Sequence, residues 1–413
     1  MKKALMVLFV IGVLLALPLA SLAGVTLKIA EDVDIDLGFR VQTQFDSVNH
    51  DNTTGGGSKE QFRVRRARIR LGGNVTEYVK FFLQTEASGD NGVGIDMRVI
   101  DAMVNLHYKN YVNLIMGEWM APAGREQLTS SGGLMAIDRP GLVNYNLTWG
   151  GRYKASFTNI TYSQTDMGFL SSSDDPVRDE GVTVFGAYDF TDLYHIKYYA
   201  GVYDGVQEAD SDSERFTFRA QFNLFDPEPG YFNLATYLGT KKTVGIGFSY
   251  DLQDNVFEGT SDPSDPLPKP RDYRWWEVDL FADYPIGPGS ATVEAAYQDL
   301  DLDDAITTNT STIDPQQSQG NGWYVQAGYY FTDWKIQPWA MYESWDSDAR
   351  NSVGDFDTWR VGLTYFFKGH NANVKVGFEQ FKADRNFTTS AAGGINTGDD
   401  TINTFLIGFY VTY

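Results

Sequence analysis

The chain has 413 residues, with 33 Lys+Arg against 54 Asp+Glu, no cysteine, 15% aromatic residues and a net charge of −21 at pH 7. That balance argues against nucleic-acid binding, which needs clustered surplus cations for phosphates. The missing cysteines exclude disulfide frameworks, Cys-ligated zinc, iron–sulfur clusters and thiol catalysis, and so many aromatics exclude a disordered acidic polymer. In chain order, Lys2 and Lys3 precede an apolar run from Ala4 to Leu17, then Pro18 and small residues up to Gly24. This is the order of a secretory signal peptide, so residues 1–23 are expected to be removed and 24–413 to form the mature chain. Loss of Lys2 and Lys3 takes the net charge to −23. Beyond residue 24 no apolar run approaches the roughly 20 residues a spanning helix needs.

From residue 33 onward the hydrophobic period is two, the mark of a strand with two different faces. Val33, Ile35, Leu37, Phe39, Val41 and Phe45 share one face, opposite Asp34, Asp36, Arg40, Gln42, Gln44 and Asp46. Phe216, Phe218, Ala220, Phe222 and Leu224 alternate with Thr217, Arg219, Gln221 and Asn223. Further on, Trp359, Val361, Leu363, Tyr365 and Phe367 alternate with Arg360, Gly362 and Thr364. Similar runs fill most of the chain, so the fold is all-β.

Connection lengths alternate as well. Tight turns fall at 74–77, 109–110, 191–192, 285–289, 332–333 and 369–370, and long polar stretches lie between them, including 118–144, 254–273, 300–320 and 383–400. Short turns at one end and long loops at the other describe a transmembrane antiparallel β-barrel of 16–18 strands with short periplasmic turns and long extracellular loops. We read 144–166 as two strands and 226–242 as one broad turn region. A propeller or β-helix would show a fixed internal repeat, and none is visible. Pairs such as Trp275-Trp276, Tyr329-Tyr330 and Phe366-Phe367 read as interfacial aromatic girdles. In the last strand Phe405, Ile407, Phe409, Val411 and Tyr413 alternate to the final residue, similar to the terminal signature of Gram-negative outer-membrane proteins, with Tyr where Phe is usual.

A family resemblance lies in the first third. Phe62-Arg63-Val64-Arg65-Arg66-Ala67-Arg68-Ile69-Arg70-Leu71-Gly72 is followed by a tight turn and the strand 78–86. Then come Asp101-Ala102, Met116-Gly117-Glu118-Trp119 and Pro122-Ala123-Gly124-Arg125-Glu126-Gln127-Leu128-Thr129-Ser130-Ser131. Over residues 60–145 this resembles the phosphate-selective porin O and P family. The resemblance implies a homotrimeric porin of the Gram-negative outer membrane, with an inward-folded third loop narrowing the pore and cationic residues favouring anions. Arg125, Thr129, Ser130 and Ser131 would then lie in a constriction loop at 118–144.

If the apolar face meets lipid, the other lines a pore. Arg40, Arg66, Arg68, Arg70, Lys80 and Arg98 lie on that face in the early strands, and Glu277, Asp279, Asp283 and Glu294 in the middle ones. The expectation is a cationic wall opposite an acidic wall, with a transverse field between them. Loop carboxylates such as Glu118 and Glu126 could instead pair with the arginines and brace the loop. Acidic loops are expected to be solvated or to meet lipopolysaccharide through divalent cations. The four histidines form no local catalytic signature, and no EF-hand pattern is present. We therefore expect no enzyme, cofactor or metal. Two functions stay open: a porin passing small hydrophilic solutes or anions, and a barrel sheath around a partner such as a multihaem cytochrome. The sheath would need a wide lumen free of an inserted loop.

Overall fold

The computed structural model describes residues 25–50, 57–89, 96–140, 178–205, 213–259, 269–301, 303, 319–348, 355–383 and 401–413. The expected signal peptide and the two strands expected within 144–166 lie outside the described residues.

Among the described residues, sixteen antiparallel strands close into a barrel. They are β2 Asp34–His50, β3 Gly57–Asn74, β4 Val79–Gly89, β5 Asp96–Tyr108, β6 Val112–Met120, β7 Arg178–Asp189, β8 Tyr194–Tyr203 and β9 Arg215–Phe225. The second half comprises β10 Thr243–Gly259, β11 Lys269–Ile286, β12 Gly289–Asp301, β13 Gly320–Phe331, β14 Ile336–Ser347, β15 Phe356–Lys368, β16 Ala372–Ala383 and β17 Thr401–Thr412. Each pairs with its sequence neighbours, and β17 closes on β2 from Asn403↔Asn49 to Thr412↔Arg40. Closure leaves no edge strand to satisfy, which lets strands cross a membrane. A short β1, Val25–Lys28, pairs with β2 at Val25↔Leu37, just past the point where Tyr413 exchanges backbone hydrogen bonds with Phe39. It continues the seam that β17 begins. Against the expected 16–18 strands, the described residues hold sixteen plus this short addition.

The alternation reads correctly on the outside. Leu37, Phe39 and Val41, Phe216, Phe218 and Phe222, and Val361, Leu363 and Tyr365 all point outward and are exposed. The aromatic doublets correct the girdle reading, because adjacent strand residues face opposite ways. Trp275, Tyr330 and Phe366 turn inward and are buried, and only their partners Trp276, Tyr329 and Phe367 keep the outer parity.

Two bulges shift the inner face. On β3 the register slips between Val64 and Ala67, and on β5 it slips beside Ile100. Bulges re-aim side chains and change local twist. The first turns both Arg65 and Arg66 inward, where both reach Asp138.

The barrel interior is far from empty. At the long-loop end the β6–β7 connection runs inward as 121–140. At the short-turn end every described connection is tight except 226–242, which also folds inside. The sequence reading of that segment is one broad turn region. Instead it supplies Tyr231 and Ala235 to two apolar clusters within the barrel. One contains Trp119, Leu128, Phe185 and Tyr199, and the other Met135, Ile137, Trp339 and Leu406.

Candidate functional site: a waist with one cationic side

The third loop crosses the waist and is held around the barrel wall by directed bonds. Ser249 Oγ donates to Ala123 O at 3.1 Å, and Arg125 N–H donates to Glu277 Oε1 at 2.9 Å. Gln42 Nε2 donates to Ser131 O at 2.8 Å. Lys375 Nζ donates to Leu134 O at 2.5 Å and to Ala136 O at 2.7 Å. Tyr410 OH donates to Ile137 O at 3.2 Å. Side chains from the wall satisfy loop carbonyls that would otherwise be buried unpaired, which is costly. The inserted segment begins at Ala121. Glu118, expected in the loop, belongs to β6 and keeps the outer parity of Leu114 and Met116.

The register sets Arg40 directly opposite Arg68, and Gln42 opposite Arg66. Like charges placed so are unfavourable, and two neutralising devices follow. Glu86 takes Arg68 in a fork, 3.1 Å from Nε and 3.0 Å from Nη2. Ser131 Oγ accepts from Arg40 Nη1 at 2.5 Å and from Arg68 Nη1 at 3.4 Å, while Ser130 Oγ accepts from Arg40 Nη2 at 3.2 Å. The two loop serines thus face the arginines. Thr129 differs: it is buried, its hydroxyl donates to Arg125 O at 3.1 Å, and it bridges to Asn233.

Arg70 follows on the same face of β3, half-buried, with its guanidinium 5.7 Å from the Phe82 ring. Arg98, opposite Glu86, and Lys80, opposite Asn74, are also half-buried. Lys80 stands near the short-turn rim, about 13 Å along the strand direction from Arg70 at the usual rise per residue. Arg65 and the loop residue Arg139 complete a set of cations that keep some exposure.

The expected acidic wall is where its parity put it, but it does not face water. Glu277, Asp279, Asp283 and Glu294 are 0–1% exposed. Arg219 grips Asp279 at 2.5 and 3.0 Å. Asp283 accepts from Tyr237 N–H at 2.7 Å, Ser290 Oγ at 2.5 Å and Thr292 Oγ1 at 3.0 Å. Glu294 accepts from Tyr324 OH at 2.8 Å and lies 3.8 Å from Arg125 Nε. The two walls therefore do not oppose each other across water: the four carboxylates are sealed, and Arg40, Arg66 and Arg68 are buried on the other side.

Arg125 ties the loop to the other inserted segment. Its guanidinium forks onto Glu228 at 2.9 and 2.8 Å and stacks 3.5 Å from the Phe281 ring. Burial alone would raise the Glu228 carboxyl, but the Arg125 guanidinium, its hydrogen bonds and Lys197 hold it well below the usual carboxylate range. Burial pushes the Glu126 carboxyl upward, and the nearby Glu294 adds to the rise.

Sequence reasoning missed Glu228, Asp138, Arg139, Arg215, Arg219 and Lys375 as members of this network. Parity alone would have placed Arg215, Arg219 and Lys375 on the inner face. Asp138, Arg139 and Glu228 sit in segments without periodicity. The available signal was the length of 226–242 beside uniformly tight turns.

A family model described as phosphate-selective porin O and P matches residues 35–223. An uncharacterized protein of Aquifex aeolicus (strain VF5) is 22% identical over 282 residues, covering 64% of this chain and 57% of that protein. Among solved structures, the anion-selective porin from Comamonas acidovorans superposes with a TM-score of 0.56 at 13% identity, covering 92% of this chain and 100% of that one. The outer membrane channel DcaP of Acinetobacter baumannii gives 0.54 at 13% identity, covering 95% and 100%. OmpF of Salmonella typhi, in complex with daunomycin, gives 0.52 at 14%, covering 94% and 100%. At these identities the likeness establishes the shared fold.

Proposed function

We propose, from a 16-strand porin barrel whose residues 35–223 belong to the phosphate-selective porin O and P family, that the protein is a passive diffusion channel preferring small hydrophilic anions. The coarse assignment, an outer-membrane channel barrel, rests on the family match and the fold. The preference rests on one observation: Arg65, Arg70, Arg98, Arg139 and Lys80 keep part of their exposure on the inner face, whereas the carboxylates of β11 and β12 are sealed. Water screens an exposed charge but leaves it free to attract a passing ion, and a row of one sign concentrates the opposite ion along it. Arg65, Arg70, Arg98, Arg139 and Lys80 form that row, with Ser130 and the Arg40–Arg68 pair beside it. Guanidinium forks suit carboxylate and phosphate oxygens, so these are the solute groups we assign.

The inserted segments also support a channel over a sheath, because the apolar clusters around Tyr231 and Met135 occupy space a partner protein would need. The protein is proposed to act as a homotrimer in outer-membrane lipid and lipopolysaccharide, after removal of residues 1–23. Single-channel recording in planar bilayers tests the reading. A stable channel whose reversal potential in a KCl gradient lies toward chloride is expected. A closed bilayer, or a reversal potential toward potassium, would refute it. Crosslinking of the purified protein in detergent should stop at trimers; a monomer ladder alone would remove that part.

A further inference from the structure

The connection 226–242 leaves the short-turn rim and pairs with the third loop inside the barrel. Asn233 N–H donates to Leu128 O, Ser130 N–H to Asn233 O and Ala235 N–H to Gly133 O, each at 3.0 Å. Backbone from opposite ends of the barrel thus joins into one strip across the lumen. Below that junction the segment lies on the carboxylate-bearing strands. Tyr237 N–H and Thr236 Oγ1 donate to Asp283, Thr292 Oγ1 donates to Thr236 Oγ1 at 3.1 Å, and the Tyr237 ring meets Phe281 edge-on. Above it, Ala123 to Glu126 cover Ser249 and Glu277. Thr236, Asp283 and Thr292 are all fully buried. On the other side of the strip Ser130, Gly132 and Arg139 remain half-buried, next to the arginines of β2 and β3.

We infer that 226–242, together with the third-loop strip it pairs with, sets ion selectivity by sealing the carboxylates of β11 and β12 from the aqueous passage, so that a permeating ion meets the Arg and Lys track rather than that acidic wall. The inference deepens the anion-preferring reading and rests on it. Its physical content is a difference in exposure. Carboxylates open to a water-filled passage would attract cations and cancel the field of the arginines. Behind the strip, bonded to Arg219, Arg125 or neutral donors, they cannot contact a hydrated ion.

The sequence contains no cysteine, so a single introduced thiol reports its own surroundings. Thr292→Cys lies behind the strip and Arg70→Cys on the track. With a charged methanethiosulfonate applied to the purified full-length barrel, Arg70→Cys should react readily and Thr292→Cys should stay unmodified over the same time. Equal rates would overturn the inference. Replacement of 229–239 by Gly-Ser-Gly should then make Thr292→Cys reactive and shift permeability toward cations. If the shortened chain does not insert, the full-length pair of thiols decides alone. Failure of the two readings is distinguishable. A wild-type channel without chloride preference refutes the proposed function, whereas a chloride-preferring wild type with an unaltered shortened variant refutes the seal.

Discussion

Arg125→Met removes the link between the two inserted segments while keeping an unbranched apolar stem against Phe281. Arg125 and Glu228 are buried, so loss of the fork takes from the Glu228 carboxylate its guanidinium partner, leaving Lys197 as the nearby cation, and takes from Glu294 its nearest cation. Breaking a buried pair in this way costs about 3–5 kcal/mol. At about 1.4 kcal/mol per factor of ten, that corresponds to roughly 100- to 4,000-fold in the equilibrium for releasing the segment. The assay is amide hydrogen exchange on the folded barrel, read at the peptides carrying the Ser130, Asn233 and Ala235 amides that join the segments. Their exchange should accelerate by at least about 100-fold, with peptides from β11 to β15 unchanged. Adding Glu228→Gln should recover part of the loss, since it removes the stranded charge. An acceleration below about tenfold in Arg125→Met would refute the reasoning that this pair holds the septum.

The remaining expectations concern pH, charge and packing. Glu228 is held below its free value of 4.5, so its contribution is complete above pH 4.5 and is lost as pH falls below that; exchange at the Asn233 amide should accelerate on acidification below pH 4.5 in wild type and less in Glu228→Gln. His370, whose Nε2 donates to Thr236 O at 2.8 Å, is pushed by burial from 6.5 down to about 4. The fold therefore favours the neutral ring, and stability present above pH 6.5 declines toward pH 4, by about 1–2 kcal/mol at pH 5 given the partial exposure of the residue; a urea-unfolding midpoint equal at pH 7 and pH 5 would contradict this. Asp138→Asn frees Arg65 and Arg66 from their carboxylate and should raise chloride permeability over potassium in bilayer recordings. Gly124→Ala would bring a methyl group to 2.5 Å from Glu277 Oε1, and an overpacked buried site costs about 1–3 kcal/mol, measurable as a lower thermal unfolding temperature of the purified barrel.

The barrel was legible because its physics is local. Period two along each strand and the alternation of short and long connections follow from pleat and membrane, and neither depends on distant contacts. Arg66, Arg68 and Arg70 were assignable to one face for the same reason. The bulge that adds Arg65 to them was not, because its trace is a register change against β2 and β4. Parity also put Glu277, Asp279, Asp283 and Glu294 on the inner face correctly. It could not say whether an inner residue meets water or another segment, since Tyr237 and Arg125 arrive from connections with no periodicity of their own. Thr129, Ser130 and Ser131 illustrate the same limit. Adjacent in sequence, they divide into one buried structural hydroxyl and two facing arginines, according to how the strip from 226–242 docks.

The most direct measurement of the central claim is the reversal potential of the wild-type channel in a KCl gradient, taken near 0.1 M and again near 1 M. A surface-charge origin requires a chloride preference at the lower concentration, where the Debye length is about 10 Å. It should shrink near 1 M, where that length is about 3 Å. Arg70→Gln with Lys80→Gln should reduce the preference at 0.1 M. A preference for potassium, or a chloride preference unaffected by both salt and these substitutions, would contradict a passage selected by its exposed cations.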